Sequence, residues 1–518
     1  MTTFLIAAPY LTVLLLLVAY GLHRSHLVWM LWKHRSQLPP APPRDIADAE
    51  LPRVTVQLPF FNEPDVLERV IDCVASIDYP RDRFEIQVLD DSTDDSRFLA
   101  KAKVMQLVRE GIDAVYIHRT NRVGYKAGAL DEGLKIAKGE LVAIFDADFL
   151  PQPNFLRTVV HHFADPKVGC VQARWGHLNR EASTLTRVQA LMLDGHHMVE
   201  NRARYAAGCF FNFSGTGGIW RREAIDTAGG WQHDTLTEDL DLSYRAQLQG
   251  WRFVFREDHV TPAELPEEME AFRAQQFRWA KGTVQTARKL LRRVLDRKDL
   301  PFSVRMEAFF HMTPHFSYPL MVLLAALLLP MLLVMPVSDP LSLLLVDIPL
   351  MVGSTGSLAT FYIVAERAQG RSTLGALRRL PWLIAIGAGM SPWLTRAVWE
   401  GLQSETGEFV RTPKKGKSKA AGRYKARTIL PVVELALTAV SVASFYTALI
   451  KGHYIAAPFA LLFVLGFGFV STMVLRERLG ALMAERAEAS RPAEAPQSDP
   501  DLVPAFQPSK STSDSLAL

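Results

Sequence analysis

The feature that most constrains this chain is the separation of its apolar runs from its charge. Phe4–Leu22 is apolar and uncharged throughout, long enough to cross a bilayer. Four more such runs follow residue 310: Phe316–Ser338, Leu341–Ala365, Thr428–Ile450 and Tyr454–Leu475. The intervening stretch, from about residue 40 to 310, carries the mixed composition of a water-soluble domain. The first run does not read as a cleaved signal peptide. Its leading MTTF has no basic residue, and no small-residue cleavage site follows. The basic cluster His23, Arg24, Lys33 and Arg35 should stay in the cytoplasm, which places the N-terminus outside.

Parity decides the fate of a sixth candidate, Pro381–Leu402, which holds two prolines, three glycines, Arg396 and Glu400. The basic segments Glu366–Arg379 and Arg411–Arg427 should both be cytoplasmic, so a single crossing between them is not allowed. The expectation is a broken helix at the membrane interface and five spans in all. Asp347 and Glu434 fall inside expected spans, where an acid either reaches the headgroups or has a function. The division expected is an N-terminal membrane helix and linker (1–40), a cytoplasmic domain (41–300), a membrane domain (301–480) and a disordered polar tail (481–518). The last, from Ala487 on, is rich in Pro, Ser, Ala and acids.

Net charge is only +4, so nucleic acid is not an expected partner. The three cysteines, Cys73, Cys170 and Cys209, form no CxxC pair. That pattern argues against a disulfide framework or a structural zinc site and fits a reducing compartment.

Within the cytoplasmic domain, short β-branched runs alternate with helical patterns. Strands are expected at 54–58, 85–89, 114–118, 141–145 and 169–173. Between them, Val66, Val70, Ile71 and Val74 share one helical face, and Phe98, Val104 and Leu107 another. Continuous apolar strands joined by amphipathic helices imply a parallel α/β sheet covered on both faces. Ligands of such sheets bind beyond the carboxyl ends of the strands.

Four motifs lie there. VLDDSTDD sets Asp90 and Asp91 at a strand end, where turn capping alone could explain them. AIFDADF sets Asp146 and Asp148 two residues apart after a buried strand. Such close like charges call for a cation, and Mg²⁺ or Mn²⁺ on a nucleotide diphosphate is the sharp reading. TLTEDLDL offers Thr237 as a helix cap, with Glu238 and Asp239 in the first turn. A carboxylate fixed at that position suits proton abstraction from a hydroxyl. AQQFRW puts Gln275, Arg278 and Trp279 on adjacent turns of one helix: an amide, a guanidinium that can grip phosphate, and a flat indole for a sugar ring. Each motif alone is also compatible with ordinary turn or helix chemistry.

In this order, Asp91, Asp146-x-Asp148, Asp239 and Gln275-x-x-Arg278-Trp279, the motifs resemble those of processive family 2 glycosyltransferases. The shared strings LPFFNEPDVLERVIDCVASIDYP, NRVGYKAGALDEGL, VQARW, FNFSGTGGIWRR, AGGW and LQGW bring the resemblance closest to the mannan and glucomannan synthase branch of the cellulose-synthase-like enzymes. It covers roughly residues 50–285. It implies a GT-A fold, an α/β Rossmann-like architecture, and inverting transfer of mannose or glucose from GDP-mannose or UDP-glucose to a growing β-linked polysaccharide, in the inner cell membrane.

By matching position, the resemblance gives Glu63, Asp90 and Asp91 to the nucleoside and Lys126 to the diphosphate. Asp146 and Asp148 would take the sugar and metal, with Asp239 as base and Glu238 beside it. Gln275 and Arg278 would hold the pyrophosphate. Trp279, with Ser214, Gly215 and Thr216, would take the acceptor. The family's gating loop, F-x-V-T-x-K-G, has its counterpart in Phe409, Thr412 and Lys414, with Arg411 where Val is expected. Accessory export proteins are candidate partners. Only a short polar tail follows the last expected span here, so a regulatory domain of the kind cellulose synthases usually carry there is not expected. Two other functions compete: a non-processive lipid glycosyltransferase, which would share much of the motif set, and a non-catalytic membrane scaffold, against which the intact Asp148, Asp239 and Arg278 speak.

Overall fold

The computed structural model describes residues 2–37, 46–336, 351–403 and 431–489. In chain order the elements are α1 (Thr2–His34), β1 (Val54–Phe60), α2 (Leu67–Ala75), β2 (Phe84–Asp90), α3 (Ser96–Arg109), β3 (Ala114–His118), α4 (Tyr125–Ile136), β4 (Leu141–Ile144), α5 (Phe155–Val159), β5 (Val168–His177) and α6 (Thr184–Gly195). A π-helical turn, His196–Asn201, leads into α7 (Arg202–Ala206), β6 (Gly218–Arg221), α8 (Arg222–Thr227), α9 (Glu238–Leu248), β7 (Arg252–Ala263), α10 (Met269–Leu295) and α11 (Phe302–Met312). The remainder is helical: α12 (Ser317–Val334), α13 (Ser357–Arg367), α14 (Thr373–Gln403), α15 (Val432–Lys451) and α16 (Ala456–Ala489). Two units separate, Met1–Leu475 and Arg476–Leu518, and the described part of the second is helix up to Ala489.

One seven-stranded sheet orders its strands β3-β2-β1-β4-β6-β5-β7. Strand β1 is buried at all but one position and β2 at every one, because helices cover both faces. The expected strands are all present, but the sheet is mixed rather than parallel. β6 runs antiparallel to both β4 and β5, while β7 lies parallel to β5 at the edge. Neither β6 nor β7 was legible. β6 is four residues of GIWR, and β7 mixes charge into its run and carries Pro262, which an edge strand tolerates. The helix face of α2 is as read, with Val70, Ile71 and Val74 buried. On α3, Val104 and Leu107 are buried but Phe98 is 58% exposed. The inward face runs through Ala100 instead, and Phe98 stacks beneath Arg97.

Among the described residues four helical stretches are long and apolar enough to cross a membrane: Phe4–Gln37, Pro314–Val334, Val432–Lys451 and Ala456–Met483. The run Leu341–Ala365 is described only from residue 351, as a π-helical turn entering α13, and Asp347 lies outside the described residues. Two expectations fail here. Pro381–Leu402 is no broken helix but part of the continuous α14, with Pro381 and Pro392 inside it. Packing against α10, α12 and α13 supports the backbone that proline would otherwise interrupt. Residues 481–489, expected to begin a disordered tail, continue α16.

Helices α14 and α16 meet backbone to backbone. A Cβ on Gly466 would lie 2.2 Å from the Ala385 carbonyl oxygen, and one on Gly389 would lie 2.2 Å from that of Gly466. Small residues that admit such approach are the usual means of packing helices in lipid. Gly466→Ala should therefore force the helices apart and cost about 1–3 kcal/mol, read as a lowered thermal unfolding midpoint in detergent.

Candidate functional site

The site is assembled where the strands end. The turn after β1 holds Phe61, Asn62 and Glu63. Asn62 adopts a left-handed φ of 54°, which its short side chain tolerates. Its backbone N–H donates to Ser92 Oγ at 2.8 Å and its Oδ1 accepts from Thr93 N at 2.8 Å, so this turn and the one after β2 are tied together. Asp90 is absorbed by that scaffold: one oxygen accepts from Ser92 N at 2.8 Å and the other from the Tyr116 hydroxyl at 2.7 Å. Asp91, by contrast, lines the cleft, gripped by Arg119 through two bonds of 2.8 and 2.5 Å. The turn-capping reading thus describes Asp90, and its neighbour carries the cleft position.

Beyond β4, Asp146 and Asp148 face the same cleft of about 180 Å³. Lys126, from the first turn of α4, places its Nζ 2.6 Å from Asp146 Oδ1 and 2.7 Å from the Gly215 carbonyl oxygen. Thr216 is buried behind the wall, where its Oγ1 accepts from the Asp146 backbone N–H at 2.9 Å. It supports Asp146, while Ser214 and Gly215 line the cleft. Gly215 sits at φ 83°, and a Cβ there would come within 3.0 Å of Asp239 Oδ2, so only glycine fits.

Glu238 and Asp239 open α9 and face the cleft. Thr237 stands at the cap position but makes no side-chain cap bond, because its hydroxyl pairs with Thr286 of α10 at 3.1 Å instead. Asp239 Oδ1 accepts from Leu240 N at 2.8 Å, which fixes the carboxylate's direction. Gln275, Arg278 and Trp279 complete the wall from α10. A second cavity of about 310 Å³ adjoins the first and shares Ser214, Asp239, Gln275 and Trp279 with it. It runs between α1, α6, α11 and α12, past Tyr20, Arg204 and Tyr318. Phe409, Thr412 and Lys414 lie outside the described residues.

Seven carboxylates thus share the cleft with Arg122, Lys126 and Arg278, and four of them, Asp146, Asp148, Glu238 and Asp239, act on the Arg278 guanidinium. Burial, and then Glu238 beside it, pushes the Asp239 carboxyl up to about 7; burial likewise raises Glu238. For Lys126 burial alone would lower the ammonium, but Asp146, Glu238 and Asp239 together outweigh it and hold it above its ordinary value. A carboxylate serves as a base only when ionised. Turnover that depends on Asp239 should therefore rise about tenfold per pH unit below about 7 and level off above it. A profile flat from pH 5 to 8 would remove Asp239 from that role.

Sequence reading missed Arg119, which holds Asp91, and Arg122, whose guanidinium lies 3.3 Å from the Phe61 ring centroid at the cleft mouth. Both are lone basic residues in coil, and no spacing marks them.

A family model described as "Glycosyltransferase like family 2" matches residues 52–282. Glucomannan 4-beta-mannosyltransferase 1 of Cyamopsis tetragonoloba is 33% identical over 447 residues, 82% of this chain and 82% of that protein. Glucomannan 4-beta-mannosyltransferase 2 of Arabidopsis thaliana is 42% identical over 263 residues, which is 50% of this chain and 49% of the relative. Among solved structures, the mannosyltransferase PcManGT from Pyrobaculum calidifontis, in complex with GDP-Man and Mn²⁺, superposes with a TM-score of 0.50 at 24% identity. The match covers 76% of this chain and 98% of that one, and it is a likeness of fold.

Proposed function

We propose, from the premise that the chain belongs to glycosyltransferase family 2, that it transfers a hexose from a nucleotide-diphosphate sugar to the end of a β-linked polysaccharide. The observation that carries this reading is the charge pattern of the cleft. Seven carboxylates line it against three cations, Arg122, Lys126 and Arg278, an excess of negative charge directly beside a cavity that leads between the membrane helices.

Such an excess favours a cation among the carboxylates. Among the described residues no three His, Cys, Asp or Glu side chains converge as a preformed cage. The fit is therefore to an ion held by Asp148, with Asp146, and by the donor's phosphates, as Mg²⁺ usually is. When bound, such an ion supplies Lewis-acid stabilisation of the departing diphosphate. Lys126 and Arg278 face the same charge from the protein side. Asp91, held by Arg119, and Glu63 line the nucleoside end, with the Phe61–Arg122 stack beside them. Trp279 and Gln275 stand at the junction of the two cavities and suit the acceptor's terminal sugar. Asp239 takes the proton of the acceptor hydroxyl as its oxygen bonds to the anomeric carbon. The bond from that carbon to the diphosphate breaks, and the electron pair leaves with the phosphate. One displacement by one base inverts the anomeric centre and yields a β-linkage from an α-linked donor.

The names of the relatives favour mannose, and hence GDP-mannose, as the donor, with glucose as the second candidate. The catalytic domain is assigned to the cytoplasmic side, with the product leaving through the membrane helices. Titration of the purified full chain with GDP and with UDP, in Mn²⁺ and then in EDTA, tests the metal. Nucleotide affinity should fall at least about tenfold in EDTA. Equal affinity in both would remove the ion from the site.

A further inference from the structure

Helix α10 has two faces with separate partners. Gln275, Arg278 and Trp279 line the cleft. A second stripe, Arg273, Phe277, Lys281 and Arg288, recurs at the spacing of one helical face and is held by membrane-domain helices. Arg273 Nη2 donates to Glu434 Oε1 at 2.9 Å, in the first turn of α15. The guanidinium lies 4.7 Å from the ring centroid of Trp393 in α14, and Trp393 Nε1 donates to the Arg273 carbonyl oxygen at 3.1 Å. Phe277 packs on the same indole at 5.0 Å. Further along, Lys281 Nζ meets Glu400 Oε2 at 3.2 Å and Arg288 Nη1 donates to the Gly401 carbonyl oxygen at 3.2 Å.

Arg273 and Glu434 are 1% and 5% exposed, and neither lines the cleft. Two ions so deeply buried at the edge of a membrane span persist together because each compensates the other. What they can affect is the orientation of α10, and a displacement of about 1 Å at a reacting centre can cost about 100-fold in rate. Resting on the functional reading above, we propose that the Arg273–Glu434 pair positions the substrate-facing side of α10. Through it the membrane helices set Gln275, Arg278 and Trp279 in register with Asp239. The pair touches neither donor nor acceptor.

The test compares Glu434→Gln, Arg273→Gln and the double apolar variant Arg273→Met with Glu434→Met, each as the full chain in nanodiscs. Each single variant should lower kcat about tenfold or more, with the donor KM within about twofold. The double variant leaves no unpaired ion and should recover the wild-type melting temperature, yet kcat should stay about tenfold down. Where these variants do not accumulate in the membrane, Arg273→Lys carries the same readouts, since it keeps the charge but loses the planar fork. In parallel, the fluorine signal of 5-fluorotryptophan at position 279, identified by its loss in Trp279→Phe, should shift in the double variant or in Arg273→Lys. That signal does not require turnover, so an inert wild-type chain would count against the function above and leave this test standing. A kcat restored together with stability, or an unmoved Trp279 signal, overturns the proposal.

Discussion

Asp239→Asn should lower turnover about a thousandfold, within the range that a positioned general base supplies, while leaving affinity for the nucleoside diphosphate within about twofold. The geometry separates the two effects. Asp239 lies where the two cavities meet, and its Oδ1 is fixed by the Leu240 amide, so the other oxygen is the one that would face an acceptor hydroxyl. Asparagine keeps the shape and the amide contact but cannot accept a proton. Removing one carboxylate also reduces the negative excess of the cleft, so the nucleotide itself should not bind less well. Stopped turnover with retained GDP binding, measured by calorimetry, is the expected pair of results. Wild-type turnover in the variant would place the base elsewhere, with Glu238 the next residue to test.

Arg278→Ala should cost about 100- to 1,000-fold in kcat, the range for removing one electrostatic stabiliser of a developing charge. Arg278 faces Glu238, Asp146, Asp239 and Asp148, and burial lowers its guanidinium below the ordinary value, so a charge has been placed where the protein environment resists it. An arrangement of that kind is maintained where the charge is needed, which in the proposed mechanism is opposite a departing diphosphate. Arg278→Lys should recover only part of the loss, because a point charge cannot reproduce a bidentate grip. If both variants lowered donor affinity and left kcat unchanged, Arg278 would serve binding alone.

The core of the fold was legible because its strands are continuous apolar runs and its helices carry one apolar face. What escaped has local reasons. β6 is too short for a pattern, and β7 carries Arg256, Glu257 and Asp258 through its middle. The prolines of α14 break a helix in water but not where neighbouring helices support the backbone. The cleft residues were found by their order along the chain, since each motif alone was ambiguous. Order could not show that Asp90 and Thr216 stand behind the wall, nor that Arg119 holds Asp91. Glu434 was left between reaching for the headgroups and having a function. Its side chain does not reach for the headgroups: it is buried and paired with Arg273 from a helix far away in sequence.

The central claim is β-transfer of a hexose into a polymer, and one measurement meets it directly. Vesicles containing the full chain are given labelled GDP-mannose and labelled UDP-glucose separately, with Mn²⁺, and the product is sized, extracted with organic solvent and digested with an endo-β-mannanase. The account predicts label from GDP-mannose in a solvent-insoluble polymer that the enzyme digests and that Asp239→Asn does not make. Label recovered as a solvent-soluble glycolipid, or as α-linked sugar, would contradict it.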